Sequence, residues 1–166
     1  MAKLLRKLMR RLLGDSTPAR LLEVGSAAPD FRVSAHDGTT VSLSGLRGRK
    51  VVLWFYPKAD TPGCTVEGKG FCSAHADFEA RGVTILGVSF DDRAANAAFA
   101  GKFGFPYPLL CDTDRKLGMA YGACDSPDAR HARRITYVID EQGTIRHVLP
   151  NVDPATHTAE VLALVG

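Results

Sequence analysis

Two kinds of hydrophobic pattern alternate along the chain and predict strands separated by helices. Unbroken apolar runs of strand-forming residues at 50–56 and 83–90 are typical of central strands that are covered on both faces. Near the C-terminus, a Glu-Gln-Gly segment at 141–143 separates two more such runs and predicts a hairpin. Strands and helices in this order predict an α/β domain with a central mixed sheet flanked by helices. The predicted strands are 50–56, 83–90, 135–140 and 144–149, and the predicted helices are 64–80, 93–103, 115–121 and 154–165, the last with Asp153 as its N-cap and Pro154 as its first residue.

Residues 2–13 form a further predicted helix whose apolar and basic sides are sharply separated. Six leucine and methionine side chains share one side of it, and five lysine and arginine side chains occupy the other. Gly14 and Pro18 end the helix, so residues 1–20 are interpreted as helix and linker and residues 21–166 as the folded domain. Residues 1–20 carry six basic side chains and one acidic one, whereas the other 146 residues carry 15 basic and 17 acidic ones. The positive charge of the chain is therefore local.

Three interpretations of this basic helix remain open. In the first, the helix is a reversible peripheral anchor to anionic membrane surfaces. In the second, its leucine side packs on the domain or on a partner subunit. Amphipathicity alone does not distinguish lipid from protein as the apolar phase. An organelle-targeting peptide is the third interpretation, which the lack of serines in the helix disfavours.

Size and cysteine usage narrow the class of protein. A length of 166 residues suits one domain with its own core, and no apolar run reaches the roughly 20 residues that span a bilayer. The four cysteines form no Cys-x-x-Cys pair and lie at no zinc-finger spacing, so neither a metal site nor a dithiol oxidoreductase is predicted. A domain of this length needs no disulfide bonds to fold, which indicates a cytoplasmic protein with reduced thiols. We expect no cofactor and no nucleic-acid partner, since the chain contains no glycine-rich phosphate cradle.

The segment after the first predicted strand carries the strongest chemical pattern. Pro57 stops the strand, Thr61 is placed to cap the next helix, and Pro62 suits the first helical position. Cys64 then lies in the first turn, where unpaired N–H groups and the positive end of the helix dipole stabilise a thiolate over a thiol. This pattern indicates a nucleophilic cysteine. Helix position alone leaves open the alternative of an inert buried thiol.

Several motifs in a fixed order make the sequence similar to the peroxiredoxins. Pro57 together with Thr61-Pro-Gly-Cys64 matches the family signature Pro-x-x-x-Thr/Ser-x-x-Cys. The resemblance covers residues 24–165 and is strongest for the branch named after the bacterioferritin-comigratory protein, also called Q-type. The other matching segments are 24–31, 52–57, 86–89, 108–112 and 134–140.

The resemblance implies a thioredoxin-like fold and the site of a thiol peroxidase. Cys64 is then the peroxidatic cysteine, Thr61 hydrogen-bonds the sulfur and the incoming peroxide, and Pro57 shields the site from water. Arg134 matches the family's essential arginine and polarises the peroxide, a role that suits a permanently charged guanidinium with several donors. Glu67, one turn beyond Cys64, is expected to orient Arg134.

Other charged side chains have weaker claims on the site. Arg133 competes with Arg134 for the arginine position, and a solvated strand edge is the alternative for both. The histidines lie at no ligand spacing from acidic residues and are predicted to be surface or capping residues. They are His36, His75, His131, His147 and His157.

The implied reaction oxidises Cys64 to a sulfenic acid, which a thiol must then reduce. The expected substrates are hydrogen peroxide and organic hydroperoxides, and the expected electron donor is thioredoxin or glutaredoxin. Many members of this branch carry a resolving cysteine at the position where this chain has Lys69. The resolving thiol is therefore open, and the candidates are Cys72, Cys124, Cys111 and an external thiol.

The three internal cysteines differ in the features that favour or disfavour them as the resolving thiol. Cys72 lies two turns further along the predicted helix, and Gly68 and Gly70 favour the unwinding that a disulfide to Cys64 needs. Cys124 lies in a Gly-Ala-Cys-Asp-Ser-Pro loop that we expect to be mobile and exposed. Cys111 ends a predicted strand and is interpreted first as a packed thiol.

Two functions outside peroxidase catalysis remain as alternatives. A peroxide-sensing redox switch or a chaperone-like binding protein uses the same oxidation of Cys64 to change its partner. A sensor is oxidised once, whereas a peroxidase cycles when a reductant is supplied. The sequence leaves the oligomeric state open between monomer and dimer.

Overall fold

The computed structural model of the chain describes residues 20–166. The predicted helix at residues 2–13 and nearly all of the predicted linker lie outside these residues. None of the helices within residues 20–166 combines the length and the hydrophobicity of a membrane-spanning segment.

The strands form one large sheet and one small one. The described residues contain the strands β1 (Arg32–Ser34), β2 (Thr40–Ser42), β3 (Lys50–Phe55), β4 (Val83–Ser89), β5 (Leu109–Cys111), β6 (Ile135–Ile139) and β7 (Ile145–Leu149). The large sheet has the order β5-β4-β3-β6-β7, and β1 and β2 form the small sheet. Because β3, β4 and β5 are parallel while β6 and β7 run antiparallel to their neighbours, the sheet is mixed, as predicted.

Helices lie between the strands in the predicted order. They are α1 (Pro62–Ser73), α2 (His75–Ala80), α3 (Arg93–Phe103), α4 (Lys116–Ala120) and α5 (His157–Leu164), with a 3-10 helix at Ser44–Leu46. The predicted helices at 93–103 and 115–121 therefore agree with α3 and α4 to within one residue at each end.

The middle strand β3 is apolar throughout because both of its faces are covered. Its side chains alternate between the two faces of the sheet. Val51, Leu53 and Phe55 lie in a first core, which also contains the residues around α4. Val52 and Trp54 lie in a second core on the other face, to which α1, α2, α3 and α5 contribute. The side chains from those helices are Phe71, Phe78, Phe99 and Val161.

The prediction of one helix over 64–80 is wrong, because the chain forms two helices there. α1 ends and α2 begins at Ala74, whose ψ of 4° departs from helical geometry. Alanine is a strong helix former, so local propensity does not predict a break at this position. Both helices still reach the second core, where the rings of Phe71 and Phe78 lie 5.9 Å apart.

The predicted start of the last helix is also wrong. Asp153 Oδ1 accepts a hydrogen bond of 3.0 Å from the N–H of Ala155, which closes a turn ahead of the helix. The helix α5 itself begins at His157, with Thr156 at the N-cap. Aspartate favours such local turns as well as N-caps, so the Asp153-Pro154 pair predicted the helix three residues too early.

Candidate active site

Cys64 lies at the carboxyl end of the middle strand, where a short turn leads from β3 into α1. Pro57 follows the strand and is half-buried. Asp60 has a φ of +58°, an uncommon conformation that tightens the turn. The N–H of Ala59 donates to Asp91 Oδ2 at 2.8 Å and so ties this turn to the end of β4. The fold therefore holds the start of α1 against the edge of the sheet.

The first turn of α1 surrounds Cys64 with backbone donors. Thr61 occupies the N-cap position and Pro62 the first helical position, as predicted. The Thr61 hydroxyl donates to the carbonyl of Lys58 at 2.7 Å instead of capping the helix. Because the helix begins at Pro62, the N–H groups of Gly63 and Cys64 have no acceptor within it. They add to the positive end of the helix dipole near the sulfur.

Arg134 contacts the sulfur directly. It immediately precedes β6, and the pairing of Phe55 with Ile135 brings it to the end of β3. Its Nη2 donates to Cys64 Sγ at 3.5 Å, and its Nη1 donates to Glu67 Oε1 at 2.7 Å. One guanidinium thus links a thiol and a carboxylate that lie one turn apart on α1.

Arg133 points elsewhere. Its Nη1 donates to the carbonyl of Gly122 at 3.1 Å, and it forms an ion pair with Asp125. Neighbouring residues of an extended chain point to opposite sides, which separates the two arginines. Of the two competing arginines, the structure brings Arg134 to Cys64.

The Glu67 carboxylate is a buried charge partner for Arg134. Glu67 is fully buried, whereas the Arg134 side chain keeps 21% of its surface exposed. Burial raises the pKa of Glu67 to about 7, and the charge and hydrogen bonds of Arg134 act against this rise. A carboxylate in this position gains its stability from one cation, so its ionisation and the position of Arg134 are coupled.

His157 belongs to the same cluster, contrary to the prediction of a surface or capping residue. It is fully buried, and its Nε2 lies 2.8 Å from Thr136 Oγ1 and 3.5 Å from Glu67 Oε2. Burial, followed by the charge of Arg134, lowers the pKa of His157 to about 4. His157 lies four residues before Val161 and eight before Val165, and both valines are buried. This helical spacing could have predicted that His157 lies on the same buried side of α5.

The other cysteines lie apart from Cys64, and all four thiols are free. Cys72 is eight residues further along α1 and donates to the carbonyl of Gly104 at 3.6 Å. Cys111 is half-buried at the end of β5. Cys124 is only 4% exposed and packs in the first core, so the expectation of an exposed loop thiol is wrong. Packing against the core buries it although its loop is polar.

Within residues 20–166, no three histidine, cysteine or acidic side chains converge as metal ligands. The cluster around Cys64 holds a thiol, a guanidinium and a carboxyl group. Such a set suits nucleophilic chemistry at sulfur with a cation close by.

The mixed sheet and the thiol at a helix N-terminus agree with the class suggested by the sequence, the thiol peroxidases built on a thioredoxin-like fold. The chain belongs to the AhpC/TSA family, whose model matches residues 24–148. It is a peroxiredoxin similar to the bacterioferritin-comigratory and Q-type proteins. A putative peroxiredoxin bcp of Coxiella burnetii is 39% identical over 146 residues, which cover 85% of this chain and 97% of that protein.

Relatives from plants and solved structures agree with this assignment. The chloroplastic peroxiredoxin Q of Triticum aestivum is 36% identical over 85% of this chain, which spans 65% of the plant protein. The peroxidoxin BcpB of Mycobacterium tuberculosis superposes with a TM-score of 0.80 at 30% identity, covering 87% of this chain and 96% of that one. A Xanthomonas campestris bacterioferritin comigratory protein, described for its alkyl peroxide reduction activity, gives a TM-score of 0.79 at 32% identity, with 87% and 95% covered. The chain thus has the predicted thioredoxin-like fold and is a thiol-dependent peroxidase.

Proposed function

We propose that this peroxidase reduces hydrogen peroxide and organic hydroperoxides with Cys64 as the attacking thiolate. One observation carries the proposal: Arg134 contacts Cys64 Sγ while Glu67 holds the other arm of the guanidinium. A cation fixed beside the sulfur favours the thiolate, and its remaining donors suit peroxide oxygens. The alkyl peroxide reduction activity named for the Xanthomonas campestris relative supports the inclusion of organic hydroperoxides.

The oxidative step uses the groups around the sulfur. The thiolate attacks the protonated oxygen of R–O–OH, forms the S–O bond and breaks the O–O bond, so Cys64 becomes a sulfenic acid. The other oxygen leaves as alkoxide or hydroxide and takes a proton from solvent. Arg134 and the N–H groups of Gly63 and Cys64 stabilise the charge that develops on it. Thr61 is assigned to the peroxide at the helix N-terminus, and half-buried Pro57 to shielding the site.

Turnover with a reductant tests the assignment of Cys64. The wild type should consume hydrogen peroxide continuously in the presence of excess thioredoxin and thioredoxin reductase, whereas Cys64→Ser should not. Cys111→Ser is a matched control that should keep the activity. If the wild type reduces one equivalent and then stops under these conditions, a redox switch is the better interpretation.

We further propose that an external thiol, supplied by thioredoxin or glutaredoxin, reduces the Cys64 sulfenic acid. Cys124 lies in the first core, on the other face of the sheet from Cys64. Cys111 lies two strands away at the same edge, roughly 10 Å across the sheet, with the buried Asn96 in contact with its Sγ at 3.5 Å. Burial raises the pKa of both thiols, which disfavours the attacking thiolate form.

Cys72 lies on the same helix but too far along it. Eight residues of α-helix separate the two Cα atoms by about 12 Å, whereas a disulfide needs less than about 7 Å. Unwinding α1 would remove Phe71 from the second core, where its ring lies 5.4 Å from those of Trp54 and His157. The glycines expected to favour unwinding instead provide close contacts: a Cβ at Gly68 would lie 2.6 Å from the Phe105 ring.

A protein that retains Cys64 alone tests external resolution. The triple substitution Cys72→Ser, Cys111→Ser and Cys124→Ser should keep turnover with thioredoxin or glutaredoxin. Loss of turnover in Cys72→Ser alone, with normal oxidation of Cys64, would assign resolution to Cys72 instead. Thermal unfolding of each variant separates loss of folding from loss of resolution.

A further inference from the structure

We propose that His157 is a positioning residue of this site: its imidazole holds the Glu67 carboxylate in the orientation from which that carboxylate holds Arg134 beside Cys64. The proposal rests on the function proposed above for Cys64. His157 lies on α5, more than 20 residues beyond Arg134 and about 90 beyond Cys64, so the sequence motif around the cysteine does not include it.

The two oxygens of Glu67 face different groups, and within the described residues Oε2 has no hydrogen-bond partner. Oε1 accepts the hydrogen bond of 2.7 Å from Arg134, and Oε2 lies 3.5 Å from His157 Nε2. Both Glu67 and His157 are fully buried, so solvent does not replace either contact. The carboxylate therefore lies between a cation on one side and an imidazole on the other.

The cluster closes on itself through β6. His157 Nε2 is 2.8 Å from Thr136 Oγ1, and Thr136 is two residues beyond Arg134, on the same side of the extended chain. Contacts thus run from Arg134 to Glu67 on α1, to His157 on α5, and back to β6 at Thr136. Glu67 and His157 each contact two neighbours in this series, which sets the direction of the guanidinium towards Cys64.

The tautomer of His157 follows from its partners. Among the described residues, Nδ1 has no hydrogen-bond partner, whereas Nε2 faces Thr136 Oγ1 and Glu67 Oε2. A buried N–H without an acceptor costs more than a buried acceptor without a donor, so the proton belongs on Nε2. At 3.5 Å, this N–H acts on Oε2 as an oriented dipole, and it stabilises the ionised form of Glu67.

Packing holds the imidazole independently of these polar contacts. The His157 ring lies edge-on to Phe71 at 5.4 Å. The next residue, Thr158, packs so closely on α1 that a Cβ at Gly70 would lie 2.3 Å from its hydroxyl. The start of α5 therefore packs tightly against α1 near Glu67. This packing fixes the position of the imidazole even without its polar contacts.

The charge of Glu67 depends on a small set of facing groups. These are Arg134 ahead of β6, His157 on α5 and Tyr107 ahead of β5, while Cys64 is linked to Glu67 through Arg134. Loss of the His157 N–H removes a group that favours the carboxylate, so Glu67 should become protonated at higher pH. A protonated Glu67 no longer pairs with Arg134 as an anion. The defect in Cys64 oxidation should therefore be larger near pH 7 than near pH 9.

Two substitutions at His157 separate positioning from packing. Gln places an amide N–H near the position of Nε2, whereas Leu retains bulk without a donor. His157→Leu should lower the second-order rate constant of Cys64 oxidation by hydrogen peroxide about tenfold at pH 7, the effect of one lost hydrogen-bond-type contact. The loss should shrink at pH 9, and His157→Gln should recover most of it. The rate is measured by trapping the sulfenic acid with dimedone and quantifying the adduct by mass spectrometry.

The controls decide between the possible results. Val161→Ala truncates the same buried side of α5 and should lower stability without changing the pH dependence. In a Glu67→Gln background, His157→Leu should have no further effect on the rate, because the two side chains act as one unit. Equal defects in Leu and Gln variants without a change in pH dependence, or no defect in either, would overturn the positioning role. If Cys64→Ser still reduced peroxide, the proposed function would fail instead.

Discussion

At the scale of single residues, Glu67 and His157 are shifted in opposite directions by the same burial. Burial raises the pKa of Glu67 from 4.5 to about 7 and lowers the pKa of His157 from 6.5 to about 4. Between pH 4.5 and 6.5 the folded state therefore holds a proton on Glu67 that the unfolded chain releases. The unfolded chain holds a proton on His157 that the folded state releases. Stability from Glu67 falls as pH rises through this window, and stability from His157 falls as pH drops through it.

In the wild type, the pH dependences of stability that come from Glu67 and His157 oppose and cancel each other. A variant that lacks one of the two groups should show the pH dependence of the other. Each is worth at most about 1.4 kcal/mol per pH unit. Relative to the wild type, Glu67→Gln should lose stability as pH is lowered from 6.5 to 4.5, and His157→Leu should gain it. Chemical denaturation across this range measures both differences. Parallel curves for the wild type and both variants would show that these groups do not titrate as described.

Arg134 should tolerate even conservative replacement poorly. A lysine presents one ammonium and cannot contact Glu67 and Cys64 through two arms of a planar group. Arg134→Lys should therefore slow oxidation of Cys64 by about 100-fold, the usual effect of losing one preorganised donor. Arg133→Lys is the matched control, since Arg133 contacts Gly122 and Asp125 and should leave the rate within about twofold. Equal effects of the two substitutions in the dimedone assay would contradict the assignment of Arg134.

At the scale of elements, α1 is held by glycines that allow close packing. A Cβ at Gly70 would lie 2.3 Å from Thr158 Oγ1, and a Cβ at Gly68 would lie 2.6 Å from the Phe105 ring. Glycine normally weakens a helix, yet here its missing side chain lets α1 approach its neighbours. The helix that carries Cys64 is consequently fixed along its length, which supports external reduction over unwinding.

Paired alanine substitutions test this packing. Gly70→Ala should lower the free energy of unfolding by about 1–3 kcal/mol through the clash with Thr158. Gly101→Ala in α3 is the control, because apart from its chain neighbours and the nearby backbone of α3 no described atom lies within 4 Å of its added Cβ, and it should raise stability by about 0.5–1 kcal/mol. Urea denaturation measures both. An increase in stability for Gly70→Ala would show that α1 has room to move.

The elements that the sequence predicts well are those with strong local patterns. β3 and β4 are long apolar runs, and α3 has a capping Asp92 whose side chain accepts from the N–H of Ala95 at 2.9 Å. The three-residue strands β1 and β2 are too short to produce a periodic pattern, and the break at Ala74 opposes local propensity. The missed features are therefore those that tertiary packing decides.

The same distinction applies to the site. Cys64 and Arg134 could be proposed because they lie in recognisable motifs, and the strand pairing then brings them together. The burial of Cys124 and the contact of His157 with Glu67 depend on how distant elements pack. The polar residues around Cys124 predict an exposed thiol, whereas packing in the first core buries it.

At the scale of the whole molecule, the chain enters the domain on the face opposite α1. Leu21 and Leu22 pack on the first core, and the N–H of Leu22 lies 3.3 Å from the Tyr137 hydroxyl that it donates to. Cys64 belongs to the second core. A segment preceding Leu21 therefore joins the domain away from Cys64.

The membrane-anchor interpretation of the basic segment at residues 1–20 predicts binding to anionic vesicles. The full chain should co-sediment with phosphatidylserine-containing vesicles at low salt and be released as salt is raised, because the segment carries a net charge of +5. A variant that begins at Leu21 should stay in solution, and neutral vesicles should bind neither protein. Equal sedimentation of both proteins would eliminate the anchor and favour packing on protein.

Peptide mapping of oxidised protein shows which cysteine reacts with peroxide and whether another cysteine resolves it. Reduced wild-type protein is treated with one equivalent of hydrogen peroxide in the presence of dimedone, then digested without reductant and analysed by mass spectrometry. We expect a dimedone adduct on Cys64 and free thiols at Cys72, Cys111 and Cys124. A disulfide between Cys64 and any of these would contradict external resolution. An unmodified Cys64 beside another oxidised cysteine would contradict the assignment of the active site.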